Sequence, residues 1–392
     1  MCRILFITYD GPTTSYLTGL FLPILTGLSR SGYRPHVLQF TWGADGKIDE
    51  TKRICVAQGV PYRAIQVWRF GGGLGPLLTA ATGGLAIRRA VRDWKIDILM
   101  PRSLMPAIAV FFMRPRREQR IVFDADGFAA DERADFQGLS RNSLTYRTLK
   151  WVERRMVRVA SSVMVRTKRA ADMLRADSGA DVTKFFVVTN GRDPSAYAGE
   201  RPLRLDNSLR LCYAGSIGAQ YLPDQMFELA RSLREAVPET TLQVFTGDTE
   251  RARSALEHAG LAGVEWIAIS QVQPWDIPSA LKSCDIALAL RKNCYSSQGL
   301  APIKIGEYLM AGLPIIGTAG IGEVVPAIEA GVMFPFDGDR IAAVEWVIEE
   351  FLPDRVYHAH EARRVGMELF GIERSIRGYE AALEYARQVG AR

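Results

Sequence analysis

Lys304 and Glu307 stand three residues apart in the stretch SSQGLAPIKIGEYLMAGLPII, residues 296–316. Pro302 suits the first turn of a helix, where no N–H is needed. Side chains three apart on a helix share a face. Gly312 and Pro314 stop that helix, and Ile315 and Ile316 begin a strand. A carboxylate fixed on such a helix can accept two hydrogen bonds from a ribose diol, and an ammonium one turn earlier can meet a diphosphate. An ordinary surface pair on a helix that ends at a glycine fits the same residues, and chemistry alone leaves both open.

Further stretches offer chemistry of the same kind. In YAGSIG, residues 213–218, Gly215 and Gly218 flank Ser216 after an apolar run. Such glycines allow a phosphate close to the backbone, or simply make a strand-to-helix turn. In TAGIGE, residues 318–323, Gly320 and Gly322 lie between a strand and a helix start, where N–H groups can face an anion. Arg291 follows the apolar run Ile286–Leu290. In FDADGFAADER, residues 123–133, four acidic groups follow a strand-like run. Asp124 and Asp126 are the candidate catalytic carboxylates, suited to orient a hydroxyl or a donor sugar. Capping of the next helix is the competing reading. Gly11, in DGPTTS after the first apolar run, is a weaker candidate for a loop near a phosphate.

The elements that must position these residues follow one grammar, used twice. Short apolar runs at 4–8, 35–40, 62–67, 96–100, 120–123, 162–165 and 185–188 alternate with helical stretches such as 16–31, 80–94 and 146–160. The pattern restarts with runs at 209–213, 241–245, 264–267, 286–290, 313–316 and 332–334. Fully apolar strands separated by helices predict parallel sheets covered on both faces. The divide falls in the polar stretch 191–207. Helical segments at 354–388 are expected to end the chain, the last of them packing back on the first domain. Ligands of doubly wound sheets bind at the carboxyl ends of the strands.

At 392 residues, 48% hydrophobic and 23% charged, the chain fits two globular domains. No run approaches the ~20 apolar residues of a spanning helix, and the N-terminal run reads as a buried strand. Five scattered cysteines form no CxxC pair and four histidines form no ligand set, so neither disulfides nor a metal is expected. Residues 1–195 carry 30 Lys and Arg against 17 Asp and Glu, and the remaining residues carry 19 against 26. The basic half points to an anionic partner or to solvated helix faces. No nucleic-acid recognition motif accompanies it, and no nucleic acid is expected.

The stretch at 302–316 closely resembles the donor-site signature of the retaining glycosyltransferases of family 4, approximately S-P-x-K-x-x-E-Y-[LM]-A-x-G-x-P-V-I. Pro302, Lys304, Glu307, Tyr308, Gly312 and Pro314 are in register. Many members carry an earlier Glu in an E-x7-E arrangement. Gly299 stands there in this chain, a departure shared by a subgroup that reads S-P-T-K. The loops at 215–218 and 320–322 resemble glycine loops of the same subgroup, although the Arg and Lys that grip the diphosphate in many relatives are missing near Ser216, with Arg291 and Lys304 as the candidate replacements. FDADG resembles D-x-R-G with Asp126 in place of Arg, and Asn190-Gly191-Arg192-Asp193 resembles N-G-V-D at the linker.

The resemblance implies an α/β protein of the GT-B fold, two doubly wound Rossmann-like domains with parallel sheets facing a central cleft. Residues 1–192, with 371–392 packing back, would be the acceptor side and 200–370 the nucleotide-sugar side. It implies a glycosyltransferase using a UDP- or GDP-linked donor with retention, no cofactor or essential metal, and a lipid-linked or polysaccharide acceptor in cell-surface glycan biosynthesis. The expected location is cytoplasmic, peripheral at the inner face of the membrane, with the basic half on an anionic surface. A degenerate non-catalytic scaffold and a nucleotide-sugar 2-epimerase of the same fold are the alternatives.

Overall fold

The structure is a computed structural model that describes residues 1–11, 16–42, 45–68, 74–116, 119–199 and 208–389. The loop after Gly11, 12–15, and the linker segment 200–207 lie outside the described residues. The chain divides into two units, Met1–Gly191 with Ile372–Arg392, and Arg192–Gly371.

The first unit holds β1 (Cys2–Tyr9), β2 (Tyr33–Thr41), β3 (Tyr62–Gln66), β4 (Ile98–Pro101), β5 (Arg120–Asp124), β6 (Ser162–Val165) and β7 (Phe185–Val187). Their order in the sheet is β3-β2-β1-β4-β5-β6-β7, and every named pairing is parallel. Both faces of the sheet are covered at β1, so Ile4, Leu5, Phe6 and Ile7 are all fully buried. That explains the continuous apolar run rather than an alternating one. The helix Ile372–Gln388 belongs to this unit and packs on β5, β6 and β7.

The second unit holds β8 (Leu209–Ala214), β9 (Thr240–Phe245), β10 (Ile267–Ser270), β11 (Ile286–Ala289), β12 (Ile315–Thr318) and β13 (Met333–Phe336), ordered β10-β9-β8-β11-β12-β13. In each sheet the order reverses beside the first strand, between β1 and β4 and between β8 and β11. These are the switch points where a doubly wound sheet opens a crevice for ligand. Asp10, Gly11, Arg102 and Ser103 follow the strands at the first switch point. Gly215–Gly218, Leu290 and Arg291 follow them at the second.

Two elements differ from the expected pattern. The single helix expected over 16–31 begins as a π-helical turn, Leu17–Phe21, before the α-helix Leu22–Arg30. Pro23 has no N–H to return to the preceding turn, and the Leu22 N–H reaches back to the Leu17 carbonyl instead. The strand expected at 264–267 starts only at Ile267, because its register is fixed by pairing of Ile267 with Leu242.

The first unit buries an ionic cluster away from the strand ends. Lys150, on the helix Leu144–Val159, pairs with Asp131 at 3.1 Å, Asp177 at 3.3 Å and Glu153. Lys150 and Glu153 are buried. Burial pushes Glu153 up to about 7, with the Asp131 and Asp177 charges adding to it against the pull of Lys150. A carboxyl raised above its ordinary range favours the fold most at acidic pH, and that contribution is lost as pH rises through about 7. At pH 6 the fold holds Glu153 neutral while the unfolded chain ionises it, so Glu153→Gln is expected to raise stability by about 2 kcal/mol. Lys150→Met, which takes the cation away from the buried Asp131 carboxylate and leaves Asp177 to Arg154, is expected to cost about 3–5 kcal/mol. Urea unfolding of the two variants checks the contrast; equal losses would refute it.

Candidate functional site

The helix Ile303–Met310 carries the first group of candidate residues. Pro302 caps its amino end in extended conformation, with φ −60° and ψ 123°. It ends in a Schellman motif: Gly312 adopts φ 76°, its N–H reaches the Leu309 carbonyl at 2.9 Å, and the Leu313 N–H reaches Tyr308 at 2.9 Å. Tyr308 is fully buried and fixes the helix to β8, accepting from the Ala214 N–H at 2.7 Å and donating to the Ala214 carbonyl at 3.1 Å. The helix thus presents Lys304 and Glu307 at the carboxyl end of β8, beside the switch point.

Lys304 enters a cage of aromatic rings. Its Nζ lies 4.0 Å from the centre of the Tyr213 ring and 4.4 Å from that of Tyr221. That atom is buried and has no hydrogen-bond partner, although the residue as a whole is partly exposed. Burial, with the Arg291 charge adding to it, drives the amine down to about 7. Gly215 makes room for it: a Cβ there would sit 2.8 Å from Nζ, and the backbone adopts φ 135°, which side chains other than hydrogen rarely tolerate. Arg291 lies over the same Tyr221 ring, 5.3 Å from its centre, and its Nε is buried without a partner. Thr318 bonds both the Arg291 N–H, at 2.8 Å, and its carbonyl, at 2.9 Å. Arg291 and Lys304, far apart in sequence, therefore meet over one ring.

The remaining donor-side candidates surround this pair. Ser216 is exposed, and its carbonyl accepts from the Tyr213 hydroxyl at 2.5 Å. The next N–H, of Ile217, is held by Asp248 at 2.9 Å. Gly320 and Gly322 adopt φ 75° and 91° in the turn after β12. The pocket lined by Tyr221, Arg291, Lys304 and Thr318 is only about 10 Å³, so an anion recognised by these cations sits at its rim. Glu307 is not idle in this arrangement: Arg192 reaches its Oε1 at 2.8 Å, and the two side chains are 20% and 18% exposed. Arg192 is anchored through its N–H to the Phe370 carbonyl at 2.8 Å.

In the first unit, Asp124 and Asp126 play different parts. Asp124, at the end of β5, is fully buried and its two oxygens each lie 2.7 Å from Nη2 of Arg166. Tyr379 donates to it at 3.4 Å, and Arg102 stands 3.8 Å away. Asp124 is thus buried and closed off by Arg166, Tyr379 and Arg102. Asp126 is 25% exposed, pairs with Arg102 and meets Nε of Arg166 at 3.3 Å. Its φ of 51° and the φ of 69° at Ser103 are two of the four left-handed non-glycine residues among those described, and both stand at strand ends of this sheet. Gly11 packs against Trp42, whose ring would lie 3.1 Å from a Cβ. Asp10, just before it, is buried, accepts from Gln39 at 2.8 Å, and is pushed up by burial.

The folds of known proteins match this architecture over nearly its whole length. Anabaena HepE in complex with UDP and glucose is 17% identical, with 98% of this chain and all of that one covered and a TM-score of 0.69. Sucrose-phosphate synthase from Thermosynechococcus elongatus is 13% identical, with 99% of each chain covered and a TM-score of 0.68. The fold is GT-B. A Listeria monocytogenes protein assigned as a UDP-N-acetylglucosamine 2-epimerase shares it at 14% identity, covering 99% of this chain and 98% of that one, with a TM-score of 0.63. Residues 21–191 match the model of the glycosyl transferase 4-like domain. No curated protein matches the chain by sequence.

Within the GT-B fold the structure adds residues that motif spacing did not single out. Tyr213 and Tyr221 hold Lys304, Thr318 holds Arg291, and Arg192 holds Glu307. Arg192 carried a visible signal, since it occupies an apolar position of the linker motif. Tyr221 carried none, because its ring reaches Lys304 only through the turn that follows β8.

Proposed function

We propose that the protein is a glycosyltransferase that takes a sugar from a UDP- or GDP-linked donor and transfers it with retention of anomeric configuration. The observation that carries this reading is the convergence of Lys304, Arg291 and Glu307 on the glycine turn at the second switch point. Two cations face the diphosphate there, and a carboxylate oriented by Arg192 faces the ribose. The backbone at Gly215, Ser216, Gly218, Gly320 and Gly322 lets the phosphates approach. Charge developing on the leaving diphosphate is met by Lys304, Arg291 and backbone N–H groups. HepE, crystallised with UDP and glucose, supports UDP as the first donor to try. The acceptor is a lipid-linked or growing polysaccharide, as in cell-surface glycan biosynthesis, with the protein working at the inner face of the membrane and the basic first unit against an anionic surface. Among the described residues no helix is long and apolar enough to cross a membrane.

Calorimetric titration of UDP and GDP into wild type and Glu307→Ala tests the donor site. One nucleotide is expected to bind saturably, and the variant to bind it at least about tenfold more weakly, the cost of losing a charge-assisted pair of hydrogen bonds. Equal affinity in the variant sinks the assignment of Glu307, and no binding of either nucleotide favours a non-catalytic scaffold. Free epimerised nucleotide-sugar without transfer would instead make the protein an epimerase. The anomeric configuration of a transfer product, read by NMR, decides retention.

A further inference from the structure

The first unit has a charged concavity at the amino ends of its strands. A cleft of about 890 Å³ opens at the amino ends of β4 and β5. β5 begins in it at Arg120 and ends at Asp124, about 13 Å away at ~3.3 Å per residue. One wall is the carboxyl end of the helix Leu74–Trp94, where Arg88, Arg89 and Arg92 follow Leu85 at spacings that keep them on one face. Lys95 extends that wall. The other wall follows the helix Leu104–Met113 and supplies Arg114, Arg116 and Arg120. Against these seven cations the lining offers one carboxylate, Asp97, which accepts from the Arg3 N–H at 2.7 Å. Among the described residues only Arg92 of the seven has an ion-pair partner, Asp93. The Nε of Arg120 is buried and has no hydrogen-bond partner.

The two walls are held close. Gly84 faces the Phe112–Met113 backbone so tightly that a Cβ would meet it at 2.9 Å. The Arg88 guanidinium donates to the Met113 carbonyl at 2.7 Å. The like charges are therefore fixed next to one another by packing, an arrangement that repels itself until an anion enters. Beside the cleft two large apolar side chains face outward, Leu85 at 57% exposure and Phe112 at 45%.

We propose that this cleft receives the phosphate headgroup of an anionic lipid, with Leu85 and Phe112 entering the acyl boundary beside it. A soluble phosphate would answer the charges and leave the apolar rim in water. A lipid answers both, because headgroup charge and hydrocarbon lie side by side at a bilayer surface. The inference deepens the reading of the first unit as membrane-facing and rests on it. It does not depend on the donor site.

The test is co-sedimentation of the full chain with vesicles of phosphatidylcholine alone and of phosphatidylcholine mixed equally with phosphatidylglycerol, alongside titration with inorganic pyrophosphate. Wild type is expected to bind the anionic vesicles only. Arg89→Glu with Arg116→Glu, both exposed and without ion pairs among the described residues, is expected to weaken that binding by about thirtyfold or more, from ~1 kcal/mol per basic residue at the surface. The same variant retains nucleotide affinity and a cooperative melt. Leu85→Ser with Phe112→Ser is expected to bind at low salt and detach as salt rises, since only attraction remains. Glu307→Ala is the control: it loses nucleotide and keeps vesicles, so failure of the donor site and failure of this site are read separately. Vesicle binding unchanged by the charge reversal overturns the proposal. So does a wild type that ignores vesicles, and if pyrophosphate then binds and is lost on reversal, the site is one for a soluble anion.

Discussion

Lys304→Met is expected to lower turnover by about 10²–10³-fold while raising the melting temperature of the ligand-free protein. Both effects come from one buried amine. Its Nζ sits between two tyrosine rings with no hydrogen-bond partner, and burial drives it down to about 7. The unfolded chain, with a lysine in the ordinary range near 10.4, binds that proton more tightly. The amine therefore penalises the fold fully below about pH 7, and the penalty fades as pH rises toward the ordinary range. Methionine fills the cage without the charge, so the gain in stability, of the order of 2 kcal/mol, is largest at or below pH 7 and shrinks by pH 10. A diphosphate at the rim restores the protonated form. Donor affinity in wild type should be flat below pH 7 and weaken by up to about tenfold per unit above it, while the variant shows no such slope. Melting curves and donor titrations between pH 6 and 9 check both halves. A destabilised variant, or one that keeps the wild-type slope, removes Lys304 from the role.

The sequence and the structure part company at places that share a cause. The apolar runs at 4–8 and 209–213 announced the central strands because a strand in a sheet covered on both faces has no solvent face to alternate with. The helix stop at Gly312 was legible because its φ of 76° requires glycine. The strand placed at 264–267 was misread because its register depends on a neighbour, β9, and not on its own composition. The site divides the same way. Lys304 and Glu307 show their shared face through local spacing. Arg291 was legible from the end of its own strand, whereas Tyr221 and Arg192 reach that pair from the turn after β8 and from the linker, and no short motif encodes a contact between residues 192 and 307. The pair Asp124 and Asp126 looked equivalent in sequence. Only the position of Arg166, at the end of the adjacent strand, shows that one of them is sealed away.

That division makes a prediction about the two carboxylates. Asp126→Asn is expected to change stability by less than about 1 kcal/mol and to lower kcat by about 10²-fold with KM little moved. Arg166→Met is expected to cost about 3–5 kcal/mol of stability. Arg166 is buried with Asp124, which it contacts at 2.7 Å, and its Nη1 donates to the Val188 carbonyl at 3.3 Å. Tyr379 adds the helix Ile372–Gln388 to the same network. The carboxylates of Asp124 and Asp126 hold the guanidinium protonated against the opposing effect of burial. Removing it leaves a buried carboxylate answered by Arg102 at 3.8 Å and the Tyr379 hydroxyl at 3.4 Å. Asp126, by contrast, reaches solvent and keeps Arg102 as a neighbour. Amide replacement preserves its shape and its ability to accept a hydrogen bond, but not the charge that would orient a sugar hydroxyl. Urea unfolding and steady-state transfer assays on the two variants separate the roles. If Asp126→Asn turns over like wild type while Arg166→Met melts early, the whole strand end is scaffold, and the acceptor hydroxyl must be oriented by another group, for which Asp10, buried at the neighbouring switch point with one oxygen unpartnered, is the next residue to replace.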